Sequence, residues 1–191
     1  MSHPDAEKWN GRYHQDGFHW LQNKPRSLLQ TWLPRLPHNG LALDAASGVG
    51  VNGLVLAQHG LRVVALDISE VGLRLARQLF TQEGLEVDTA VYDLARPWFP
   101  AHSFDVIINF RFLERATFPA YRRALKPGGW LIFETFVKTD AAVEYPDHFL
   151  EAGELHEAFA DFVVHFSGRE EVVRNGRVYK TTDQLVAQKL L

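Results

Sequence analysis

Three aspartates stand at or near the carboxyl ends of three apolar runs, and a glycine loop follows the first of them. Asp44 interrupts the run LALDAA, Asp67 ends the run LRVVALD, and Asp93 follows a third run. Gly48 and Gly50 follow Asp44 by four and six residues, where they allow a sharp turn and a close approach of the backbone to a ligand. Ligands of open α/β sheets bind at the carboxyl ends of the strands, so these residues predict one ligand site.

The stretch 41–60, LALDAASGVGVNGLVLAQHG, predicts a strand, a glycine loop and a helix. Its apolar run suits a strand that is buried on both faces, as in the middle of a parallel sheet. The helix is predicted over 51–59 and ends at Gly60. The loop therefore delivers a ligand to a helix N-terminus.

Two classes of cofactor use such a loop, because Gly48, Gly50 and Gly53 also satisfy the G-x-G-x-x-G dinucleotide pattern. Asp44 discriminates between them. Its carboxylate would repel a bound pyrophosphate, since two unit charges a few ångströms apart interact by about 1–4 kcal/mol at effective dielectric constants of about 80 to 20. The same carboxylate suits a cationic ligand.

The segment resembles motif I of the class I S-adenosylmethionine-dependent methyltransferases, hydrophobic-Asp-x-[Gly/Ala]-x-Gly-x-Gly. Asp44, Ala46, Gly48 and Gly50 are in register with that motif, and Ala46 stands where the family usually has its first glycine. The cofactor of this family carries an α-ammonium and a sulfonium. The resemblance implies that the motif receives the methionine part of S-adenosylmethionine.

Two further acidic positions extend this cofactor prediction. Asp67, followed by Ile68, lies seventeen residues beyond Gly50, where a carboxylate can accept hydrogen bonds from both ribose hydroxyls; the alternative is an ordinary loop aspartate. The resemblance implies that Asp93 accepts from the adenine amine while Leu94 packs on the ring, with a loop aspartate without a ligand as the alternative. Asn109, at the carboxyl end of the run FDVIINF, completes the predicted cofactor set.

The remaining runs predict the fold class. The turn Lys126-Pro127-Gly128-Gly129 leads into a strand over 130–136, and Asn175-Gly176 is a strong hairpin signal near the C-terminus. The resemblance, which covers about residue 40 to the end, implies a doubly wound, mostly parallel seven-stranded α/β sheet with an antiparallel C-terminal hairpin. We expect a single domain over 1–191, with a core over 40–191.

The segment 1–39 is predicted to be an N-terminal helical flap or lid. Asn23 and Pro25 predict the start of a helix that continues through Pro34 to Leu36. The leader before it is rich in aromatic residues, which favours packing on the domain. The sharper hypothesis is a lid over the substrate, with one of three side chains facing the reacting group: Tyr13, His14 or His19.

Catalytic candidates are fewer, because a methyl on a sulfonium is already activated and needs mainly alignment. Arg111 interrupts Phe110 and Phe112 at the sheet edge, where it would pair with an anionic substrate group or form a salt bridge to Glu114 or Glu134. The candidates for a general base are His14, His19 and His148. The sequence has no spacing that supports a metal site.

Composition excludes several classes of function. The chain has 191 residues, 46% of them hydrophobic, a net charge of -3 and no cysteine. Disulfides, a cysteine zinc site and a thiol nucleophile are therefore excluded, and nucleic acid is disfavoured as a partner. The sequence shows no signal peptide and no apolar run that could cross a bilayer, so we expect a cytoplasmic location.

A narrower resemblance is to the tellurite-resistance and thiopurine methyltransferases, carried by FRFLER, HFLEAGELHEAF and the final hairpin. It implies a small, soft nucleophile as the acceptor. The alternatives are a nicotinamide-dependent (NAD) oxidoreductase, which Asp44 and the terminal hairpin disfavour, and a catalytically silent S-adenosylmethionine-binding module. The sequence makes no prediction of the acceptor atom or the oligomeric state.

Overall fold

The computed structural model describes residues 3–139, 146–174 and 176–191. Helices and strands alternate through most of this range, as expected for a doubly wound fold. The helices are α1 Pro4–Leu21, α2 Ser27–Trp32, α3 Val51–Gln58, α4 Glu70–Gln82, α5 Thr117–Ala124 and α6 Glu154–Ala158. The strands are β1 Leu41–Ala45, β2 Arg62–Asp67, β3 Asp88–Val91, β4 Phe104–Phe110, β5 Leu125–Val137, β6 Val163–Arg174 and β7 Arg177–Gln188.

The strands form one seven-stranded sheet in the order β3-β2-β1-β4-β5-β7-β6. Strands β1 to β5 pair in parallel, whereas β7 pairs antiparallel with both β5 and β6. The mostly parallel sheet and its antiparallel C-terminal hairpin are therefore confirmed. Arg174 pairs with Arg177 at the end of the hairpin, while Asn175 of the predicted turn lies outside the described residues.

Two layers of apolar side chains cover the faces of the sheet. One includes Phe80 of α4 and Leu56 of α3, with Trp32 of α2. The other includes Tyr121 of α5 and Phe159, which follows α6. Burial of both faces explains why the central strands read as nearly continuous apolar runs. Within the described residues, no helix is both long and apolar enough to span a bilayer.

Two predicted boundaries were wrong. The helix expected from Asn23 to Leu36 is shorter, because α2 ends at Trp32 and a 3₁₀ turn over 33–35 carries Pro34. The fifth strand begins at Leu125 rather than after the glycine pair. Leu125 pairs with Phe104 ahead of a register shift, and Gly128, with a φ of 74°, lies within this irregular part of the strand.

Candidate active site

The glycine loop joins β1 to α3 through three residues in left-handed conformation. Gly48 and Gly50 have φ angles of 56° and 76°, which glycine adopts without strain. Ala46 has a φ of 53°, and a Cβ makes that region unfavourable. The structure thus gives a physical reason for a glycine at this position and shows that alanine takes the same conformation.

Asp67 fastens this loop to the end of β2. Its Oδ2 accepts a hydrogen bond from the Gly48 N–H at 2.7 Å, and its Oδ1 accepts from the Ser69 N–H at 2.8 Å. The side chain of Ser69 caps α4, as its Oγ accepts from the Gly72 N–H. Burial raises the pKa of Asp67, and its backbone hydrogen bonds oppose that rise. The loop conformation is therefore set before any ligand binds.

Asp44 lies beneath the loop rather than on its rim. It is 2% exposed, and its Oδ2 accepts from the Gly53 N–H in the first turn of α3 at 2.9 Å. Burial raises the pKa of Asp44 to about 7; the Gly53 hydrogen bond opposes this and the charge of Asp67 adds to it. That Asp44 contacts the ammonium of the cofactor stays a prediction. The raised pKa means that this carboxyl group changes its charge near neutral pH.

The predicted adenine positions lie at the end of the next strand. Asp93 is half-buried, and its Oδ1 accepts from the Ala95 N–H, so the carboxylate closes a local turn. Leu94 is buried and Ile68 is half-buried. The roles of these three side chains with a ligand stay predictions.

Helix α1 lies along the three predicted cofactor positions. His3, its N-cap, is 3.9 Å from the Asp93 carboxylate. Asn10, which sequence reasoning missed, accepts a 2.6 Å hydrogen bond from the Ser69 hydroxyl at the end of β2. Tyr13 packs over the glycine loop, where a Cβ on Gly48 would lie only 2.6 Å from its hydroxyl oxygen.

Tyr13 is the one catalytic candidate from the leader that the structure brings to the loop. It is 7% exposed and packs between Trp9 and Trp20. Burial raises the pKa of Tyr13, and Asp67 raises it further, so its hydroxyl is a neutral donor rather than a base at neutral pH. His19 is exposed in the last turn of α1 and has no hydrogen bond or ion pair from its ring among the described residues.

Ser47 is a second residue that sequence reasoning missed. Its Oγ is buried and has no hydrogen-bond partner among the described residues. A buried hydroxyl without a partner is costly, which marks a place where a ligand or water completes the site. The signal was available, because Ser47 lies between two motif positions, Ala46 and Gly48.

The turn after β4 lies beside the glycine loop, since Asn109 pairs in register with Ala45 of β1. Asn109 is fully buried, donates to the Phe112 carbonyl at 2.8 Å and accepts from the Tyr121 hydroxyl at 3.1 Å. These two hydrogen bonds of Asn109 hold the turn in which Arg111 has a φ of 55°. The predicted cofactor contact of Asn109 stays a prediction, and its side-chain amide already serves the turn.

Arg111 lies against the end of β5. Its backbone N–H donates to the Glu134 carbonyl at 2.7 Å, and its Nε lies 3.6 Å from the Glu134 carboxylate. Glu134 is 1% exposed and accepts a hydrogen bond from Gln184 of β7. Arg111 was predicted to pair with an anionic substrate group or to form a salt bridge, and the ion pair to Glu134 is present. Because this contact is long, the guanidinium still has hydrogen-bond donors for a ligand.

Comparison with known proteins agrees with this geometry. Residues 42–129, which include the glycine loop and Asp67, match the family model described as a methyltransferase domain. A relative from Nitrosococcus oceani, "Ubiquinone biosynthesis O-methyltransferase", is 37% identical over 108 residues, which are 52% of this chain and 45% of that protein. The chain spans about half the length of the curated relatives it matches.

Solved structures share the fold. TehB from Haemophilus influenzae superposes with a TM-score of 0.72 over 85% of this chain and 61% of its own, at 21% identity. The [4+2]-cyclase SpnF superposes with a TM-score of 0.68 over 89% and 85% of the two chains, at 19% identity. These identities establish the fold alone.

The sheet order and the glycine loop agree with the family match. Residues 42–129 match a methyltransferase domain, and the seven-stranded fold is that of the class I S-adenosylmethionine-dependent methyltransferases. The residues present fit the cofactor of that class, S-adenosylmethionine, because Ser47 offers an unpaired buried hydroxyl and the left-handed Gly48 and Gly50 turn the loop beside it.

Proposed function

We propose that this protein transfers a methyl group from S-adenosylmethionine to a small-molecule acceptor. The observation that carries the proposal is the glycine loop, which Asp67 holds in a ligand-ready shape at the carboxyl end of β1. In this proposal Asp44, Ala46, Gly48 and Gly50 receive the methionine part of the cofactor. The ribose is assigned to Asp67 with Ile68, and the adenine to Asp93 with Leu94.

When bound, the cofactor supplies a methyl group on a sulfonium, which is already activated for transfer. The protein then has to orient the acceptor and exclude water, and orientation can contribute up to about 7–11 kcal/mol in ideal cases. Tyr13 and Trp9 of α1 cover the loop from one side. Arg111 and the buried Glu134 bound the other side, where we place the acceptor.

A thermal-shift titration tests the cofactor assignment. S-adenosylhomocysteine and NAD are each titrated against the protein, and only S-adenosylhomocysteine should stabilise it. A ligand at a hundredfold its dissociation constant adds about 2.7 kcal/mol of stability, enough for a shift of a few degrees. Stabilisation by NAD alone would replace the proposal with the oxidoreductase alternative.

Methyl transfer itself requires a separate test, because the fold also supports other outcomes. SpnF has this fold and is a [4+2]-cyclase, so a silent or differently acting cofactor-binding module is the second candidate. Incubation with methyl-labelled S-adenosylmethionine and a panel of small phenols and thiols distinguishes them. Label in an acceptor, with release of S-adenosylhomocysteine, supports the proposal; cofactor binding without transfer to any member supports the second candidate.

The acceptor panel also addresses the acceptor atom. The curated relatives are named as O-methyltransferases, which favours a hydroxyl oxygen. The resemblance to tellurite-resistance and thiopurine methyltransferases favours a softer atom. Comparison of matched phenols and thiols decides between the two, since each pair differs only in the nucleophile. A nucleic acid is not expected as the partner, in view of the net charge of -3.

A further inference from the structure

Two cations lie against one phenylalanine at the edge of the sheet where we place the acceptor. The Cζ of Arg111 is 5.6 Å from the centre of the Phe136 ring, and the Nζ of Lys180 is 4.5 Å from it. Lys180 also lies 4.9 Å from the Phe149 ring. Because Thr181 of β7 pairs with Val137, Lys180 stands just beyond the end of β5.

These cations are short of hydrogen-bond acceptors. The Arg111 guanidinium has Glu134 as its ion-pair partner, at 3.6 Å, which is too long for a hydrogen bond. Glu134 instead accepts a hydrogen bond from Gln184, at 3.1 Å. Within residues 3–139, 146–174 and 176–191, neither this guanidinium nor the Lys180 ammonium donates a hydrogen bond.

Arg26 adds a third cation from the segment between α1 and α2. Its backbone N–H donates to the Asn52 side chain in the first turn of α3, at 2.9 Å. Burial lowers the pKa of Arg26, the charge of Arg111 lowers it further, and Glu134 and Glu170 raise it. Its guanidinium therefore lies in the same electrostatic field, and it too donates no hydrogen bond within the described part of the chain.

Arg111 is also held in a conformation that costs free energy. A non-glycine residue with a φ of 55° is strained, and such strain persists where the surroundings enforce it, commonly at functional sites. Here Asn109 enforces it through a part-buried hydrogen bond to the Phe112 carbonyl, and Tyr121 holds Asn109 through a buried one. The strain of the backbone and the unused donors of the guanidinium are independent observations on the same residue.

We propose that Arg111 and Lys180 bind an anionic group carried by the methyl acceptor, most simply a carboxylate, and that the charge of Arg26 reinforces that of Arg111. This rests on the proposed function, because it names the acceptor class for the same site. Guanidinium and ammonium groups make their strongest hydrogen bonds to such oxygens. Phe136 and Phe149 provide an apolar surface beside the anion, which suits an aromatic acid.

The methionine carboxylate of the cofactor is another possible source of the anion. Arg111 follows β4 and Lys180 of β7 stands beyond the end of β5, past the acidic positions assigned to the cofactor at β1, β2 and β3. Only Arg26 is tied to the helix that follows the glycine loop. We therefore assign the anion to the acceptor, and the experiment separates the two sources.

The experiment measures binding to the protein saturated with S-adenosylhomocysteine, by titration calorimetry. The probes are 3,4-dihydroxybenzoate and its uncharged amide, which match in size and in their hydroxyl groups. The acid should bind at least about tenfold more tightly than the amide, as expected for a hydrogen bond to a charged group. Arg111→Gln and, separately, Lys180→Gln should each remove most of that preference.

Arg62→Gln is the matched control. Its guanidinium is 80% exposed, pairs with Asp88 and lies at the opposite end of the strands. It should leave the preference for the acid unchanged. Thermal unfolding of each variant checks that it folds. If Arg111→Gln fails to fold, Lys180→Gln alone still tests the proposal.

Three results would overturn the proposal. The first is equal affinity for the acid and the amide. The second is the absence of saturable binding of the acid up to about 20 mM, which would mean an affinity weaker than that of a typical carboxylate site. The third is a preference that survives both variants while their affinity for S-adenosylhomocysteine falls, which assigns the cations to the cofactor. Acid preference without methyl transfer from labelled cofactor would instead refute the proposed function and leave the anion site standing.

Discussion

Two turns at the same edge of the sheet differ in the charge of the side chains around them: one is surrounded by carboxylates and the other by cations. The turn after β1 contains Ala46 and the turn after β4 contains Arg111, and both residues are left-handed although neither is glycine. Around the first turn, buried carboxylates accept hydrogen bonds from backbone N–H groups. Around the second, cations have no such acceptors among the described residues. The backbone of the first turn is held by carboxylates of the chain itself, whereas in our proposal the cations of the second turn find their acceptor in the ligand that binds there.

The largest expected effect on cofactor affinity concerns the first turn. Asp67→Ala removes the acceptor for two backbone N–H groups and the predicted ribose contact, so affinity for S-adenosylhomocysteine should fall about a hundredfold, by about 3 kcal/mol. Calorimetric titration measures it. Asp88→Ala, on an exposed carboxylate of the neighbouring strand, is the control. An Asp67 variant with unchanged affinity would break the comparison, because the first turn would then not be a cofactor site.

The pH dependence of Asp44 sharpens the same contrast. Its pKa in the folded protein is raised to about 7, so the folded chain binds a proton more tightly than the unfolded chain. Asp44 therefore destabilises the cofactor-free protein above pH 7, by at most about 4 kcal/mol, and this cost is removed as the pH falls towards 4. Asp44→Asn should be more stable relative to the natural chain at pH 8 than at pH 5, by denaturant unfolding.

Cofactor affinity should show the opposite trend with pH. A cationic methionine ammonium favours the charged carboxylate, so binding of S-adenosylhomocysteine should weaken as the pH falls below about 7, by up to tenfold per unit. Asp44→Asn should bind more weakly and without this trend. If the two proteins followed the same pH curve, Asp44 would be a structural carboxyl group with no part in binding.

The contact between α1 and the first turn predicts a coupling of moderate size. In Gly48→Ala the new Cβ would lie 2.6 Å from the Tyr13 hydroxyl oxygen but 3.5 Å from the next ring atom. Gly48→Ala should therefore destabilise less in a Tyr13→Phe background, by about 1–2 kcal/mol in a double-mutant cycle. Additive effects on the free energy of unfolding would mean that α1 does not rest on the loop in solution.

The smallest effect concerns strain in the first turn. Ala46→Gly relieves a left-handed alanine and should raise the free energy of unfolding by up to about 1 kcal/mol, with cofactor affinity unchanged. Ala57→Gly, in the last turn of α3, should instead lower it by up to about 1 kcal/mol. Destabilisation by both variants would remove the claim that Ala46 is strained.

The strands, the glycine loop and the hairpin were predictable because their signals are local. Apolar runs, paired glycines and the Asn-Gly pair report on a few neighbouring residues. Two contacts were not predictable: the hydrogen bond from the Gly53 N–H to the Asp44 carboxylate, and the packing of Tyr13 against Gly48. Both are contacts between different parts of the fold, which periodicity does not encode.

The same limit applies to the second turn. Arg111 was visible as a charge between two phenylalanines, but its conformation depends on Asn109 and Tyr121, and its neighbourhood depends on Lys180 from the far end of the chain. Arg26 carried no sequence signal, because a single arginine near a helix start is common. Its electrostatic relation to Arg111 and Glu134 exists only in the folded chain.

The aromatic side chains of α1 give the molecule an optical reporter of its own. Trp9 and Trp20 lie 6.3 Å apart, and both pack on Tyr13, which touches the glycine loop. Trp98, by contrast, is 68% exposed, so its emission should be at longer wavelength and easily quenched by iodide. Trp32 is buried outside α1, and Trp130 lies beside it, so both are replaced by phenylalanine in this measurement. Emission that then resists iodide and changes with S-adenosylhomocysteine would follow the movement of α1 in real time, with no attached dye.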